Sequence, residues 1–347
     1  MLRRFFCKII LIAVVLCGLF ALSGVLFAQG RSEDALARAI EVQERHTNEL
    51  MAKPGVIGTA IGEGQGAQPV ILVLLEAGGV PGIPDHLEGV LVRPLVTGKI
   101  YALAKPDSKP GGKPGSGTLS PTDKWPRPVP IGVSTGNEGE CSAGTISCRV
   151  KDASGNVFAL SNNHVYALEG GAAIGSVVLQ PGLYDTACAY DTANVIGTLY
   201  DFVEIKFDGT ANTVDAAIAS TTTANLGNAT PSNGYGVPKT QWVDATLNQP
   251  VQKYGRTTGL TKGTVVGVNW TGNIGYSSGT ALFTGQSLVY GSKGAFIKPG
   301  DSGSLLVTDS GKNPVGLLFA GDMSGKYAIA NPIDLVLGAL NVSIDGQ

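Results

Sequence analysis

Three short segments of this 347-residue chain carry residue types suited to acyl-transfer chemistry. Leu160-Ser161-Asn162-Asn163-His164-Val165 puts a histidine directly after an apolar run. Thr213-Val214-Asp215-Ala216-Ala217-Ile218 puts an aspartate at the opening of another. Lys298-Pro299-Gly300-Asp301-Ser302-Gly303-Ser304 puts a serine in a Gly-flanked turn before a third. Singly, each has an ordinary reading: a loop histidine, an aspartate that forms a turn, a tight turn in a Gly-rich chain. Together they supply what nucleophilic acyl transfer needs. That chemistry asks for an exposed hydroxyl, a base in reach of it, a carboxylate that fixes the base's tautomer, and N–H groups aimed at the developing oxyanion. On this reading Ser302 is the nucleophile, His164 the base and Asp215 its orienting carboxylate. The N–H groups of Gly300 and Ser302 form the oxyanion hole. The other two histidines, His46 and His86, lie far upstream, so His164 has no nearby rival.

The elements that must position these residues read as strands. Gly (49) and Pro (19) make up roughly a fifth of the chain, against an average of about 12%. Both break helices, and their excess favours short strands joined by tight turns. Strand patterns fall at 145–150, 157–161, 213–219, 251–255, 263–268, 304–307, 315–319 and 327–330. A short helix follows, with Pro332 at its first position and Ile333, Val336, Leu337 and Leu340 on one face. Upstream, Ser32 to Met51 reads as a helix with Leu36, Ile40 and Leu50 on a broken apolar stripe. Four strand patterns come after it, at 56–61, 70–75, 89–92 and 100–103. Residues 105–127 are rich in Pro, Gly and Ser and read as a linker. The expected organisation is a leader at 1–28, a small α+β domain at 29–104, the linker at 105–127 and a mainly β domain at 128–347.

The leader begins with Arg3, Arg4 and Lys8, followed by an uncharged apolar run from Ile9 to Ala28. A cleaved signal peptide and a retained membrane anchor through residues 9–28 both fit it. Either way the remainder is exported, to a secreted or periplasmic location or to an outward-facing anchored one. Cys7 and Cys17 lie in that leader, leaving Cys141, Cys148 and Cys188. An odd count in an exported chain suggests one disulfide and one free thiol, with Cys141–Cys188 preferred. Three buried thiols are the other reading. Without a Cys-x-x-Cys pair and with scattered histidines, no metal site is expected, and no cofactor either. A net charge of −2 argues against a nucleic-acid partner.

In its motifs the chain resembles the chymotrypsin/trypsin-like serine proteases over residues 130–342. The His164, Asp215, Ser302 order is that of this family. Gly300-Asp301-Ser302-Gly303 resembles its nucleophile motif, and Asn163-His164-Val165 sits where its base motif lies. Tyr254-Gly255-Arg256-Thr257-Thr258-Gly259 is similar to a hairpin of the secreted streptogrisin type. Pro314 to Gly321 resembles the substrate-pairing strand. The wording around Ser-Asn-Asn-His-Val looks closer still to bacterial proteins related to the plant NARROW LEAF 1 group. The resemblance implies two six-stranded antiparallel β-barrels with a C-terminal helix, a polypeptide substrate, and substrate contacts from Phe319, Ala320 and Gly321. Phe296 is expected either near the base of the primary pocket, favouring apolar side chains, or in the core.

Some positions depart from that pattern. Val165 replaces the family's Cys, and Ser304 replaces a frequent Gly. Phe319 stands where many members carry a serine that supports the aspartate. Without a family-type activating N-terminus, Asp301 is expected to find an internal partner. Residues 29–104 are expected to act as a pro-region, removed to leave a start near 120–130, or as a permanent binding domain. The rival to an enzyme is a binding module on the same fold, since fold does not fix function.

Overall fold

The computed structural model describes residues 33–103 and 119–347. The leader and the linker up to residue 118 lie outside the described residues. The chain is mainly β, in two sheets of eight and eleven strands, with a C-terminal helix at Ile333–Leu340. Pro332 stands one place before that helix rather than at its first position. Ile333, Val336, Leu337 and Leu340 are its buried face, as their spacing requires.

The eight-stranded sheet runs from Ser343–Ile344 through Cys148–Lys151, Val157–Ser161, Ala217–Thr221, Val195–Phe202, Val177–Leu179 and Ser134–Asn137 to Gly144–Thr145. Residues 144–151 bond to both ends of it. Ile146 N donates to Val133 O (3.0 Å), and Ser147 N donates to Leu160 O (2.8 Å). That continuous segment closes a ring of six strands. In the second sheet, Pro250–Gly255, Leu305–Thr308, Pro314–Asp322, Tyr327–Pro332, Thr280–Tyr290 and Gly259–Gly275 pair in that order, and the last pairs back to the first. This is a second ring of six. The expected double β-barrel architecture is therefore present, with every neighbouring pair in the second ring antiparallel.

The upstream unit does not keep a sheet of its own. Gly259–Gly275 is long enough to serve two partners: its first part pairs with Pro250–Gly255, and its later part pairs with Val56–Glu63. Pro69–Leu75, Val90–Val96 and His86–Leu87 then extend the same sheet. A helix at 33–51 covers this extension. Of the expected stripe, Leu50 is buried and Leu36 and Ile40 pack partly buried against the same core; Ala39, Val42, Gln43 and Thr47 complete the buried face. Polar residues can face inward there because the amide of Gln43 donates to Thr59 Oγ1 (3.0 Å) and Asn269 O (2.9 Å).

The strand Ile100–Ala102 leaves that unit altogether. It pairs antiparallel with Pro314–Asp322, matching Ala102 to Ala320, Tyr101 to Gly321 and Ile100 to Asp322. Six strands lie outside the segments read as strands in the sequence: His86–Leu87, Ser134–Asn137, Val177–Leu179, Val195–Phe202, Thr280–Tyr290 and Ser343–Ile344. All four residues of Ser134–Asn137 are buried, because the ring closes around them. Among the described residues, no helix is long and apolar enough to cross a membrane.

Cys141 and Cys188 are joined by a disulfide, and Cys148 is a buried free thiol. Burial pushes the Cys148 thiol up to about 12, so at neutral pH it carries almost no reactive thiolate. Peptide mapping after iodoacetamide treatment at pH 8 should find Cys148 unmodified in the native protein and alkylated after denaturation. Rapid native labelling would contradict this burial.

Candidate active site

Two of the three proposed catalytic residues, Asp215 and Ser302, sit on backbone held by both barrels. His164 lies in a one-turn helix, Asn163–Tyr166, immediately after the strand Val157–Ser161. Asp215 precedes the strand Ala217–Thr221 and is flanked by the buried Val214 and Ala216. Its carbonyl accepts from the Asn162 side chain of the first barrel (2.7 Å), and its N–H donates to Asn331 Oδ1 of the second (3.1 Å). Ser302 lies in the turn between Lys298 and Leu305. Thr145 of the first barrel grips that turn twice: its N–H donates to Ser302 O (2.8 Å) and its hydroxyl to Gly300 O (2.8 Å).

Two glycines make the turn feasible. Gly300 has φ +94° and Gly303 has φ +93°, a region that side chains rarely tolerate. Space excludes a side chain as well. A Cβ on Gly303 would meet Thr145 O at 2.1 Å, and one on Gly300 would meet Thr257 Oγ1 at 2.6 Å.

The structure joins His164 to Asp215 directly, with Nδ1 2.5 Å from Oδ2, both side chains fully buried. The His164 N–H donates to the other carboxylate oxygen (3.2 Å). His164 Nε2 makes no hydrogen bond among the described residues. Ser302 is not bonded to it: the Ser302 hydroxyl donates instead to Phe319 O (3.1 Å). The Gly300 N–H donates to Leu103 O (2.7 Å). The strand Ile100–Ala102 and Leu103 thus lie along the site, and Ser302, His164 and Asp215 are all almost wholly shielded from solvent.

The remaining residues predicted for substrate contact divide by atom. Ala320 and Gly321 pair through their backbones with Ala102 and Tyr101. Phe319 turns its ring into the core against Phe283, at 4.9 Å between centroids, and leaves its carbonyl facing Ser302. Phe296 is buried in the core, in one apolar cluster with Leu103.

Several residues of the site carry no sequence signal. Phe319 has no hydroxyl for Asp215, and Tyr276 supplies one from a different hairpin, its OH donating to Oδ2 at 2.9 Å. Burial, and then the negative Asp215, hold the Tyr276 phenol well above its ordinary range, so it stays a donor. Asp301 does find internal partners. Its carboxylate accepts from the N–H groups of Thr257 (2.8 Å), Thr258 (3.1 Å) and Lys298 (3.0 Å) and from the Thr258 hydroxyl (2.7 Å). Lys253 Nζ lies 3.3 Å from it, both side chains buried. Burial draws the Lys253 amine below its ordinary range, with Asp301 opposing that fall. One step along, the buried Arg256 forks onto Asp185, and Ser134 Oγ also donates to that carboxylate (2.6 Å). The Tyr254–Gly259 hairpin is therefore the cradle of the serine turn.

No family model matches this chain, and no curated protein does. In structure the chain is similar to Thermobifida fusca Protease A, at 21% identity and a TM-score of 0.45, over 63% of this chain and 100% of that one. It is similar to a glutamic acid specific serine protease at 19% identity and a TM-score of 0.45, over 62% of this chain and 100% of that one. A third is Cellulomonas bogoriensis chymotrypsin, at 20% identity and a TM-score of 0.43, over 63% of this chain and 99% of that one.

Breaking a buried pair strands its partner charge, which costs about 3–5 kcal/mol. Lys253→Met should lower the unfolding free energy by that order in a denaturant titration. A loss below about 1 kcal/mol would mean that the backbone donors alone satisfy Asp301.

Proposed function

We propose that this chain is an exported serine endopeptidase working through His164, Asp215 and Ser302. The observation that carries this reading is the buried His164–Asp215 pair, with Nδ1 2.5 Å from the carboxylate and Nε2 left without a partner among the described residues. Nδ1 must carry the proton to bond a carboxylate, so Nε2 is the basic nitrogen. The Tyr276 hydroxyl and the His164 backbone N–H donate to the two oxygens of the same carboxylate and hold it in place.

In the reaction the Ser302 hydroxyl leaves the Phe319 carbonyl and turns to His164 Nε2. Such contacts commonly tighten only in the reacting complex. Ser302 Oγ adds to the peptide carbonyl carbon while Nε2 takes its proton. Asp215 stabilises the imidazolium, and the Gly300 and Ser302 N–H groups meet the oxyanion. Nε2 then returns the proton to the departing amine. Water hydrolyses the resulting ester by the same route. The Lys253–Asp301 and Arg256–Asp185 pairs contribute by holding the turn rigid, so that the donors need no reorganisation.

Ser302→Ala should abolish both peptide hydrolysis and labelling by a fluorophosphonate. Undiminished hydrolysis in that variant would remove Ser302 as the nucleophile. Tyr276→Phe deletes one hydrogen bond to a charged group, an effect of about 1.5–3 kcal/mol. Its kcat/KM should fall roughly tenfold or more, measured beside an unfolding curve that separates lost activity from lost fold. An unchanged kcat/KM would show that Tyr276 does not support Asp215.

A further inference from the structure

Leu103 is held as a substrate residue would be held. Its carbonyl oxygen accepts from the Gly300 N–H at 2.7 Å, one of the two donors assigned to the oxyanion. Its own N–H donates to Phe319 O (3.4 Å), the carbonyl that also takes the Ser302 hydroxyl. Two residues back, Tyr101 is paired with Gly321, in an antiparallel ladder that runs from Ala102 to Ile100. The side chain is buried to 4% exposure in the same apolar cluster as Phe296 and Ile297. Gly321 makes room for it, since a Cβ there would lie 3.2 Å from Leu103 Cδ1 and 2.8 Å from Ile297 Cγ2. Asp322, the nearest carboxylate along the strand, is used by Ser324 and the Tyr327 N–H.

We propose that the chain cleaves its own peptide bond after Leu103, and that the pocket holding this side chain selects leucine or a similar aliphatic residue on the acyl side of other polypeptides. The inference rests on the reading of Ser302 as nucleophile. Ser302 Oγ forms an ester bond with the Leu103 carbonyl carbon and its proton passes to His164. The C–N bond to Ala104 breaks, and the new amine takes the proton. Water then releases the Leu103 carboxylate and frees Ser302. The cut falls at the upstream edge of the linker, not at its far end near 120–130. It severs the covalent link between the upstream sheet extension and the barrels.

The test is to express the full chain and the Ser302→Ala form, then read intact masses and new N-termini. The wild type should begin at Ala104, and Ser302→Ala should stay joined at that bond. Leu103→Asp should block that cut and Leu103→Met should keep it, with circular dichroism confirming both folds. On peptide nitroanilides, leucine should exceed lysine or glutamate at the acyl position by roughly tenfold or more in kcat/KM. A protein that hydrolyses peptides and binds fluorophosphonate, yet remains intact at 103 or prefers a charged residue, overturns this inference and leaves the proposed function standing. A protein that does none of these overturns both.

Discussion

A carboxylate taken out of water must be paired or hydrogen-bonded on all sides, and this molecule buries three of them within one site. Asp185, Asp215 and Asp301 are each almost wholly removed from solvent. An unpaired charge in such a place would cost several kcal/mol. Each therefore dictates what surrounds it. Asp301 requires the Thr257 and Thr258 amides, which shapes the hairpin after Tyr254, and it requires Lys253. Asp185 requires Arg256, which stands between the two barrels and packs over Tyr184. Asp215 requires His164 and Tyr276, which come from opposite barrels. Satisfying the three charges docks one barrel on the other and freezes the serine turn at the seam.

The same logic explains why the backbone around Ser302 is held from several sides. Thr145 is used by the Ser302 and Gly300 carbonyls, the Arg256 N–H, the Ser161 hydroxyl and the Gly303 backbone, whose close approach leaves no room for a Cβ. Donors fixed in this way are worth more to a developing charge than mobile ones, because they need not reorient as the charge forms. The upstream segment uses a different device. It reaches the site by continuing the second barrel's sheet and then laying Ile100–Ala102 along the strand beside Ser302. Backbone ladder bonds hold it in register, and Leu103 supplies the apolar anchor.

Much of the fold was legible in the chain because its signals are local. A continuous apolar run marked 157–161, a strand pattern also fell at 251–255, and the Ile333–Leu340 face followed from helical spacing. The strands that escaped notice have weak patterns of their own. Ser134–Asn137 is buried only because neighbouring strands surround it, and its side chains do not announce that. The upstream helix misled for a related reason. Gln43 and Thr47 look like surface residues until Thr59 and Asn269 are placed opposite them.

What the chain alone determined is the chemical inventory and its order: a histidine, an aspartate and a serine, with glycines where a positive φ is unavoidable. These are properties of single residues and adjacent turns. What only the tertiary structure decided is who meets whom. Tyr276 reaches Asp215 across 61 positions, and Arg256 answers Asp185 across 71. The carbonyl of Leu103 rests on the Gly300 amide from the far side of a linker. Pairings of that kind depend on sheet register and barrel closure, which bring distant segments together without leaving a trace in either segment's own sequence.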